Sequence, residues 1–366
     1  MIMRFDCISP HTPPLETAAA AEAVRTGTQS LSDDLMTLIL VRVPLVDHGA
    51  ASSACARWSK LVASPRFAVE RASGACIEHG IAVIAGGDDA CAIYNVGFTR
   101  ILRRLPPYPH AVTCAGSAWL QGKGLVVVGG RSNTAVLRAV WVCAPDFNDW
   151  QRLADLPEPR ASARCVSLGG RVYAIGGEDS RHHRASSCYC YNPQRDVWDT
   201  LPDMPCRVAH FALGEIDGHI LVCGGYASNT CRWVSTVQVF DPATSTWTFG
   251  PEFLGHETCW WASTKSAVLD GQLYVFGGRG GLVKVFDGKS WSEGPRLPDD
   301  RSAECALSTS GGAIIILASV TSPSTHVLAE VEVLVLRGGS LSMLGVTASS
   351  TTPLVDGAAL TAIPLG

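Results

Sequence analysis

The sequence lacks the features that mark nucleic-acid-binding proteins, membrane-spanning proteins and secreted proteins. Its charges nearly balance, with 29 Lys and Arg against 33 Asp and Glu, and no basic block stands out. That distribution argues against a nucleic acid partner. No apolar run reaches the roughly 18 residues that a membrane-spanning helix needs, and residues 1–29 lack the basic start and apolar core of a secretory signal. We therefore expect an intracellular protein of the cytoplasm and/or nucleus that binds neither nucleic acid nor membrane, with residues 1–29 as a flexible leader.

Cysteine is abundant, but it is not arranged as a disulfide framework or a zinc motif. The chain has 14 cysteines in 366 residues and no Cys-x-x-Cys pair. Small secreted domains concentrate cysteines in a short chain, whereas these are spread along a long one. Cys114, Cys165 and Cys305 fall at strand positions that suit a small apolar side chain. The pattern favours a reducing compartment.

The chain does contain a repeat with a period of about 43 to 53 residues. Apolar runs end in paired glycines five times, and the first glycines lie 43, 47, 48 and 53 residues apart. Each unit reads as short runs of β-branched and aromatic residues closed by Gly, Pro or Asn, which predicts short strands joined by tight turns. Repeats of this length are typical of four-stranded propeller blades. The glycine pairs begin at Gly86, Gly129, Gly176, Gly224 and Gly277, and the later units carry Trp150, Trp198, Trp247 and Trp291.

These units resemble the kelch repeat, in which an apolar strand ends in Gly-Gly and a tryptophan opens the last strand. The resemblance covers five units from residue 73 to about 298, although the first has Thr99 or a neighbour in place of the tryptophan. Segments 312–318 and 331–336 read as strands of a sixth unit whose glycine pair has become Leu317-Ala318. The resemblance implies a mainly β, kelch-type β-propeller over residues 73–366. We expect six four-stranded blades, the last one degenerate, with five or seven as alternatives.

Residues 30–70 follow a helical pattern instead. Apolar residues recur at helical spacing from Leu31, Ser32 is a suitable N-cap, and Pro44 marks the end of the first helix. A second helix is predicted after Asp47 and a third around Arg57. Three short helices bury so little surface that a module of this size usually needs a partner.

This stretch resembles an F-box, with its leucine start, its hinge at Val43-Pro44-Leu45 and its core at Cys55 to Trp58. It departs from the family at Ser32, where proline is usual, and at Gly49, where leucine is common. The resemblance implies docking onto the adaptor subunit of an SCF-type cullin-RING ubiquitin ligase and, through it, onto a cullin. The alternative is that the apolar residues only form the helical core. The implied docking residues are Leu31, Leu35, Ile39, Pro44, Leu45 and Trp58.

The propeller offers candidate binding residues at one repeated position. Arg160 and Arg207 lie 16 and 17 residues before the first glycine of their units, and Arg301 lies 16 before Leu317. In kelch proteins such arginines commonly face the ligand, and guanidinium groups bind carboxylates well, so an acidic peptide would suit them. The alternative is that they pair with acids of adjacent blades and that the tryptophans are buried. The residues predicted to bind a target protein are Arg160, Arg207, Arg301, Trp260, Trp261, His182, Tyr226 and Trp233.

No constellation of catalytic or metal-binding residues emerges from the sequence. His182 and His183 lie near Cys188 and Cys190, but their spacing matches no zinc motif that we can name. The glycine pairs lack the lysine and the following helix of a phosphate-binding loop. We therefore predict no cofactor and a non-catalytic receptor subunit of a ubiquitin ligase. A kelch scaffold without a ligase is the main alternative, and a propeller enzyme or small-molecule sensor is a weaker one.

Overall fold

The computed structural model describes residues 32–40, 43, 48–64, 66–67, 78–84, 91–95, 101–227, 232–252, 264–277, 281–298, 301–309, 313–321, 328–347 and 359–365. The chain divides into two compact units, one of residues 1–78 with Gly366 and one of residues 79–365. The domain limits expected from the sequence, 30–70 and 73–366, stay predictions. Within the described ranges, no helix is both long enough and apolar enough to cross a membrane.

The first unit contains three short helices, as the sequence predicted. Ser32 caps the first helix, because its side-chain oxygen accepts a hydrogen bond of 3.3 Å from the backbone N–H of Leu35. The helices pack around a small core of buried side chains. The helices are α1 (Asp33–Leu40), α2 (His48–Ala54) and α3 (Ala56–Val62), and the buried core residues are Met36, Leu40, Ala51 and Phe67.

The second unit is a mainly β propeller of six blades, which confirms the predicted fold class. Each blade is a four-stranded sheet, and in blades 2 to 6 the strands follow chain order from the channel outward. Blade 1 contains β1 (Glu78–Ile84), β2 (Ala92–Asn95) and β3 (Ile101–Arg104); blade 2 contains β4 (Gly116–Leu120), β5 (Gly124–Val128), β6 (Val140–Cys143) and β7 (Trp150–Leu153); blade 3 contains β8 (Arg164–Leu168), β9 (Arg171–Ile175), β10 (Cys188–Asn192) and β11 (Val197–Leu201).

The remaining blades include the degenerate sixth unit, whose second and third strands form where the sequence placed them. The short strands β12 (Val208–Ala209), β15 (Tyr226–Ala227) and β16 (Arg232–Trp233) make a separate small sheet. Blade 4 contains β13 (Ala212–Ile216), β14 (His219–Cys223), β17 (Val237–Asp241) and β18 (Thr246–Gly250); blade 5 contains β19 (Lys265–Leu269), β20 (Gln272–Phe276), β21 (Val283–Phe286) and β22 (Trp291–Glu293); blade 6 contains β23 (Arg301–Thr309), β24 (Ala313–Thr321), β25 (Leu328–Arg337) and β26 (Ser340–Thr347).

The ring is closed by the last strand of the chain. Strand β27 (Ala359–Leu365) pairs with β1 and so becomes the innermost strand of blade 1. It contacts the innermost strands β23 of blade 6 and β4 of blade 2 on its two sides. The two ends of the propeller domain therefore share one blade.

The repeated tryptophans join neighbouring blades. Each one lies on the outermost strand of its blade and donates its indole N–H to a backbone carbonyl that follows the outermost strand of the preceding blade. Because a buried aromatic ring removes a large apolar area from water, this position combines packing with a directed hydrogen bond. The four bonds run from Trp150 to Pro106 at 3.0 Å, from Trp198 to Ala154 at 2.9 Å, from Trp247 to Pro202 at 2.9 Å and from Trp291 to Pro251 at 3.0 Å.

The glycine pairs are needed where the second strand of a blade ends. Gly176 and Gly177 have φ angles of 58° and 92°, a region that residues with a side chain rarely adopt. A Cβ atom on Gly177 would lie 2.6 Å from the carbonyl oxygen of Ala161, so the backbone itself leaves no room for it. The pair thus brings the chain into close contact with the segment that enters the blade.

Candidate functional site

The segments that follow the glycine pairs gather at one end of the propeller. In blade 3, Arg164 at the start of β8 pairs with Ile175 at the end of β9, and Ile175 pairs with Cys188 at the start of β10. The segment entering the blade and the loop between β9 and β10 therefore lie at the same end of the sheet. Backbone pairing continues into these segments, and we call the resulting extensions the collar. Its pairs are Arg131 with Thr113 and Val136, Glu178 with Ala161 and Arg184, and the sheet of β12, β15 and β16.

Side chains link the collars of consecutive blades. Arg131, Glu178 and Tyr226 each follow a glycine pair and so occupy the same place in blades 2, 3 and 4. The Arg131 guanidinium lies 3.8 Å from the Glu178 carboxylate, and the Arg184 guanidinium lies 4.7 Å from the centre of the Tyr226 ring. The His182 ring lies 3.3 to 3.4 Å from the Arg131 guanidinium and 3.8 Å from the Glu178 carboxylate. The collar is therefore a connected polar surface.

Arg160 is buried beneath this surface, with only 4 % of the residue exposed. Its guanidinium donates hydrogen bonds to the Glu158 carboxylate at 2.5 Å and to the Ser187 hydroxyl. The same carboxylate accepts a hydrogen bond of 3.1 Å from the Tyr189 hydroxyl, and the Arg160 guanidinium lies 5.9 Å from the centre of the Tyr189 ring. Arg160 therefore fixes the segment that enters blade 3 against β10.

The collar of blade 3 contains an open cleft of about 690 Å³ that brings Arg160 and Arg207 together. Arg207 is exposed, and its guanidinium has no hydrogen bond or ion pair with any other side chain that the structure describes. The walls combine charges of both signs on a rigid frame, as a recognition surface on a propeller would. The other ionisable groups on the walls are Glu158, Asp179, His183, Arg184 and Asp203.

The loop on one side of the cleft is held by Asp179. One of its carboxylate oxygens accepts hydrogen bonds of 2.8 Å from the backbone N–H groups of Arg181 and His183. Burial opposes ionisation of Asp179, but these backbone bonds and the nearby positive charges outweigh it and hold the pKa of the carboxyl below its usual value. The loop is therefore shaped before any ligand arrives.

The structure describes four of the eight propeller side chains that the sequence selected, and all four lie at the collar end. Arg160 and Arg207 line the cleft, whereas His182 and Tyr226 contact Arg131 and Arg184 beside it. Arg301 lies at the start of β23 and Trp233 at the end of β16, but the structure does not describe their side chains. Trp260 and Trp261 lie outside the described residues altogether.

Tyr226 was among the residues selected from the sequence, whereas Arg131 and Glu178, the charged residues at the same position of blades 2 and 3, were not. The three residues lie 47 and 48 residues apart. Aligning the residue that follows each glycine pair would have revealed Arg131 and Glu178. Arg184 lacks such a signal, because it pairs with Glu178 across a loop of irregular length.

The helical unit carries a second candidate surface on α1. Leu35 and Ile39 are 51 % and 49 % exposed and lie four residues apart, on one face of the helix. Met36 and Leu40 on the other face are buried. Trp58 packs against the helical core and is half-buried. The remaining predicted docking residues, Leu31, Pro44 and Leu45, lie outside the described residues.

The residues considered for a metal site are kept apart by the fold. His182 and His183 are exposed in the collar, whereas Cys188 and Cys190 are buried in β10. Among the residues that the structure describes, no group of three His, Cys, Asp or Glu side chains is placed to hold a metal ion.

Comparison with known proteins matches both parts of the chain. The F-box domain family matches residues 29–70, and the kelch motif family matches residues 159–205 and 207–254. An F-box/kelch-repeat protein of Arabidopsis thaliana is 24% identical over 71% of this chain and 69% of its own length. The F-box protein AFR of the same plant is 26% identical over 71% of this chain and 72% of its own length.

Similarity extends to proteins without an F-box in their names. Kelch-like protein 35 of Mus musculus is 24% identical over 65% of this chain and 41% of its own length. The solved structure of YjhT superposes with a TM-score of 0.53 over 67% of this chain and 87% of that chain, at 16% identity, which is a likeness of fold alone. The chain therefore has an F-box match ahead of kelch-motif matches that lie within a six-bladed propeller, and in this order of parts it is similar to the F-box/kelch-repeat proteins.

Proposed function

We propose that this protein is the substrate-recognition subunit of an SCF-type cullin-RING ubiquitin ligase. The observation that carries the proposal is the exposed apolar pair Leu35 and Ile39 on α1 of the F-box. A module with so small a core is stabilised by each apolar side chain that it buries, yet Leu35 and Ile39 stay outside the core. Exposed apolar pairs of this kind mark interaction surfaces.

In this proposal each of the two units binds a different partner. The α1 face binds the adaptor subunit and, through it, the cullin, while the collar end of the propeller binds the protein to be ubiquitinated. No residue of this chain takes part in the chemistry. Its contribution is to hold the target beside the catalytic subunits. Reactants that are held together no longer pay the large entropic cost of meeting from solution.

The cleft of blade 3 is the proposed contact for a segment of the target. Arg207 supports this assignment, because an exposed guanidinium without a described partner is free to bind a carboxylate. Arg160 serves a different purpose: it holds Glu158 and Ser187 in place and so shapes the wall of the cleft.

The test is a pull-down of the full chain by the purified SCF adaptor subunit. We expect wild type to bind and a Leu35→Ser plus Ile39→Ser variant to lose binding, because both side chains are exposed and their replacement leaves the core intact. Phe249→Ser is the matched control, since Phe249 is 61% exposed on β18 of the propeller.

Failure of wild type to bind, or equal binding by the double variant, would contradict the ligase assignment. A kelch scaffold without a ligase would then account for the protein. Circular dichroism of each variant shows whether the helices and the sheets have formed.

A further inference from the structure

The cleft of blade 3 carries equal numbers of carboxylates and guanidinium groups. Its walls hold three of each, together with the ring of His183. A ligand with charge of one sign would be attracted by half of these groups and repelled by the other half. The cleft as a whole therefore favours neither a purely acidic nor a purely basic ligand. The carboxylates belong to Glu158, Asp179 and Asp203, and the guanidinium groups belong to Arg160, Arg184 and Arg207.

Four of these six side chains are engaged within the protein. The Arg160 guanidinium forms an ion pair with the Glu158 carboxylate at 2.5 Å. The Asp179 carboxylate accepts two hydrogen bonds from backbone N–H groups of its own loop. The Arg184 guanidinium lies over the Tyr226 ring, 4.7 Å from its centre. These contacts hold the four side chains in place as walls of the cleft.

Asp203 and Arg207 differ from the other four. Both are exposed, and within the part of the chain that the structure describes they form no ion pair with each other or with any other residue. The Asp203 carboxylate accepts one hydrogen bond, of 2.8 Å, from the Ser186 hydroxyl through Oδ2. The cleft thus presents one carboxylate and one guanidinium group to a ligand.

The segment between these two charged residues is fixed at two points. The backbone N–H of Met204 donates a hydrogen bond of 2.9 Å to the carbonyl of Ser186. The buried side chain of Gln238 accepts a hydrogen bond of 2.7 Å from the backbone N–H of Cys206 and donates one of 3.3 Å to its carbonyl. The backbone that carries the two charges is therefore in place before a ligand arrives, which lowers the entropic cost of binding.

We propose that the cleft of blade 3 binds a target segment in which an acidic residue and a basic residue lie close together, the acidic one on Arg207 and the basic one on Asp203. This inference rests on the proposed function, in which the cleft contacts the captured protein, and it names the class of segment. The planar guanidinium of Arg207 matches a carboxylate. The Asp203 carboxylate has one oxygen without a hydrogen bond among the described residues, which is available to a lysine or arginine side chain.

The length of the protein segment limits the spacing of the two charges in the ligand. Asp203 and Arg207 lie four residues apart, so their Cα atoms are separated by at most about 14 Å. An extended ligand rises about 3.3 Å per residue. The acidic and basic residues of the target segment are therefore expected within about four positions of each other.

The experiment selects binders to the purified full chain from a displayed library of random short peptides. Selection takes place at about 0.15 M ionic strength, where exposed charges more than about 8 Å apart are largely screened. We expect the enriched peptides to carry an acidic and a basic residue at the spacing given above. We also expect one preferred order of the two residues, because the cleft has a fixed polarity.

Single variants assign the selection to the two charges. Asp203→Asn keeps an acceptor for the Ser186 hydroxyl but removes the negative charge, so the basic residue should lose its enrichment while the acidic residue keeps it. Arg207→Gln should have the converse effect. Each variant should weaken binding of a peptide selected on wild type by about two- to fivefold, the range of an exposed ion pair. Lys123→Glu is the control, because Lys123 is exposed in the turn between β4 and β5, at the opposite end of blade 2 from the collar, and it should change neither result.

Exchange of the two charges is the sharpest test. Asp203→Arg combined with Arg207→Asp keeps the charge balance of the cleft but reverses its polarity. We expect this double variant to select peptides in which the acidic and basic residues occur in the reverse order. Circular dichroism shows whether the double variant has folded, and the two single variants test the proposal if it has not.

Enrichment of peptides with charge of one sign only, or the absence of any enriched peptide, would overturn the proposal. Equal weakening by Lys123→Glu, or an unchanged order of residues in peptides selected by the folded double variant, would also overturn it. The adaptor pull-down does not depend on Asp203 or Arg207. A wild-type chain that binds the adaptor but selects no peptide of mixed charge would therefore contradict this inference alone and leave the ligase assignment standing.

Discussion

At the scale of single residues, the arginines show how much the sequence can predict. Alignment on the glycine pairs placed Arg160 and Arg207 at one end of the propeller, and the structure brings them into one cleft. Their environments nevertheless differ, because Arg160 is buried and Arg207 is exposed. Burial depends on Glu158 and on Ser187, which lies 27 residues away along the chain. No local pattern in the sequence specifies that contact.

Replacement of these arginines by methionine should therefore have unequal effects on stability. Arg160→Met removes the hydrogen bonds to Glu158, Pro159 and Ser187, and we expect a loss of about 1–3 kcal/mol in the free energy of unfolding. Arg207→Met should change it by less than about 0.5 kcal/mol, as exposed sites usually do. Urea unfolding followed by tryptophan fluorescence measures both. Equal losses would contradict the structural role assigned to Arg160.

At the scale of elements, the strands of the blades follow from the sequence, whereas the collar does not. Glycine pairs and tryptophans mark strand ends directly, because each requires a particular backbone or a large contact. The collar of blades 2 and 3 consists of single pairs such as Glu178 with Ala161 and Arg184. One residue pair shows no alternation of apolar and polar residues, so periodicity cannot reveal it.

The tryptophan bonds between blades give a prediction at this scale. Trp198→Phe keeps an aromatic ring but leaves the carbonyl of Ala154 without its indole donor. We expect a cost of about 0.5–1.5 kcal/mol for the hydrogen bond, in addition to the lost packing. Trp141→Phe is the matched control, because the Trp141 indole nitrogen is buried without a hydrogen-bond partner among the described residues.

Thermal unfolding of the two variants provides the comparison. We expect a lower midpoint temperature for Trp198→Phe than for Trp141→Phe. Removal of a buried donor that has no partner lowers the free energy of unfolding only slightly or raises it. Removal of a paired donor lowers it, because the acceptor loses its hydrogen bond. The reverse order would show that the indole bonds do not hold the blades together.

At the scale of the whole molecule, the closure of the ring escaped sequence reasoning. Residues 359–365 carry no glycine pair and no tryptophan, and their partner β1 begins at the other end of the propeller domain. The number of blades was predictable because the apolar runs of the sixth unit persist where its glycines are lost. Pairing between the two ends of the domain leaves no repeated pattern in the sequence, so it could not be predicted in the same way.

Deletion of residues 359–366 tests this closure. Blade 1 would lose its innermost strand, and β1 would become an exposed edge that favours association. We expect broadened thermal unfolding and aggregation in size-exclusion chromatography. Deletion of residues 1–29 is the control and should leave the melting of the propeller unchanged. A truncated chain that melts like the full chain would show that β27 is dispensable.

We propose that this chain joins a ubiquitin ligase through its F-box. The most direct test of this proposal mixes the purified full chain with the adaptor and a cullin-RING complex and measures mass by size-exclusion chromatography with light scattering. We expect wild type to form a single assembly that contains all components, and the Leu35→Ser plus Ile39→Ser variant to be excluded from it. Elution of the wild-type chain apart from the ligase subunits would show that the protein is not a subunit of such a ligase.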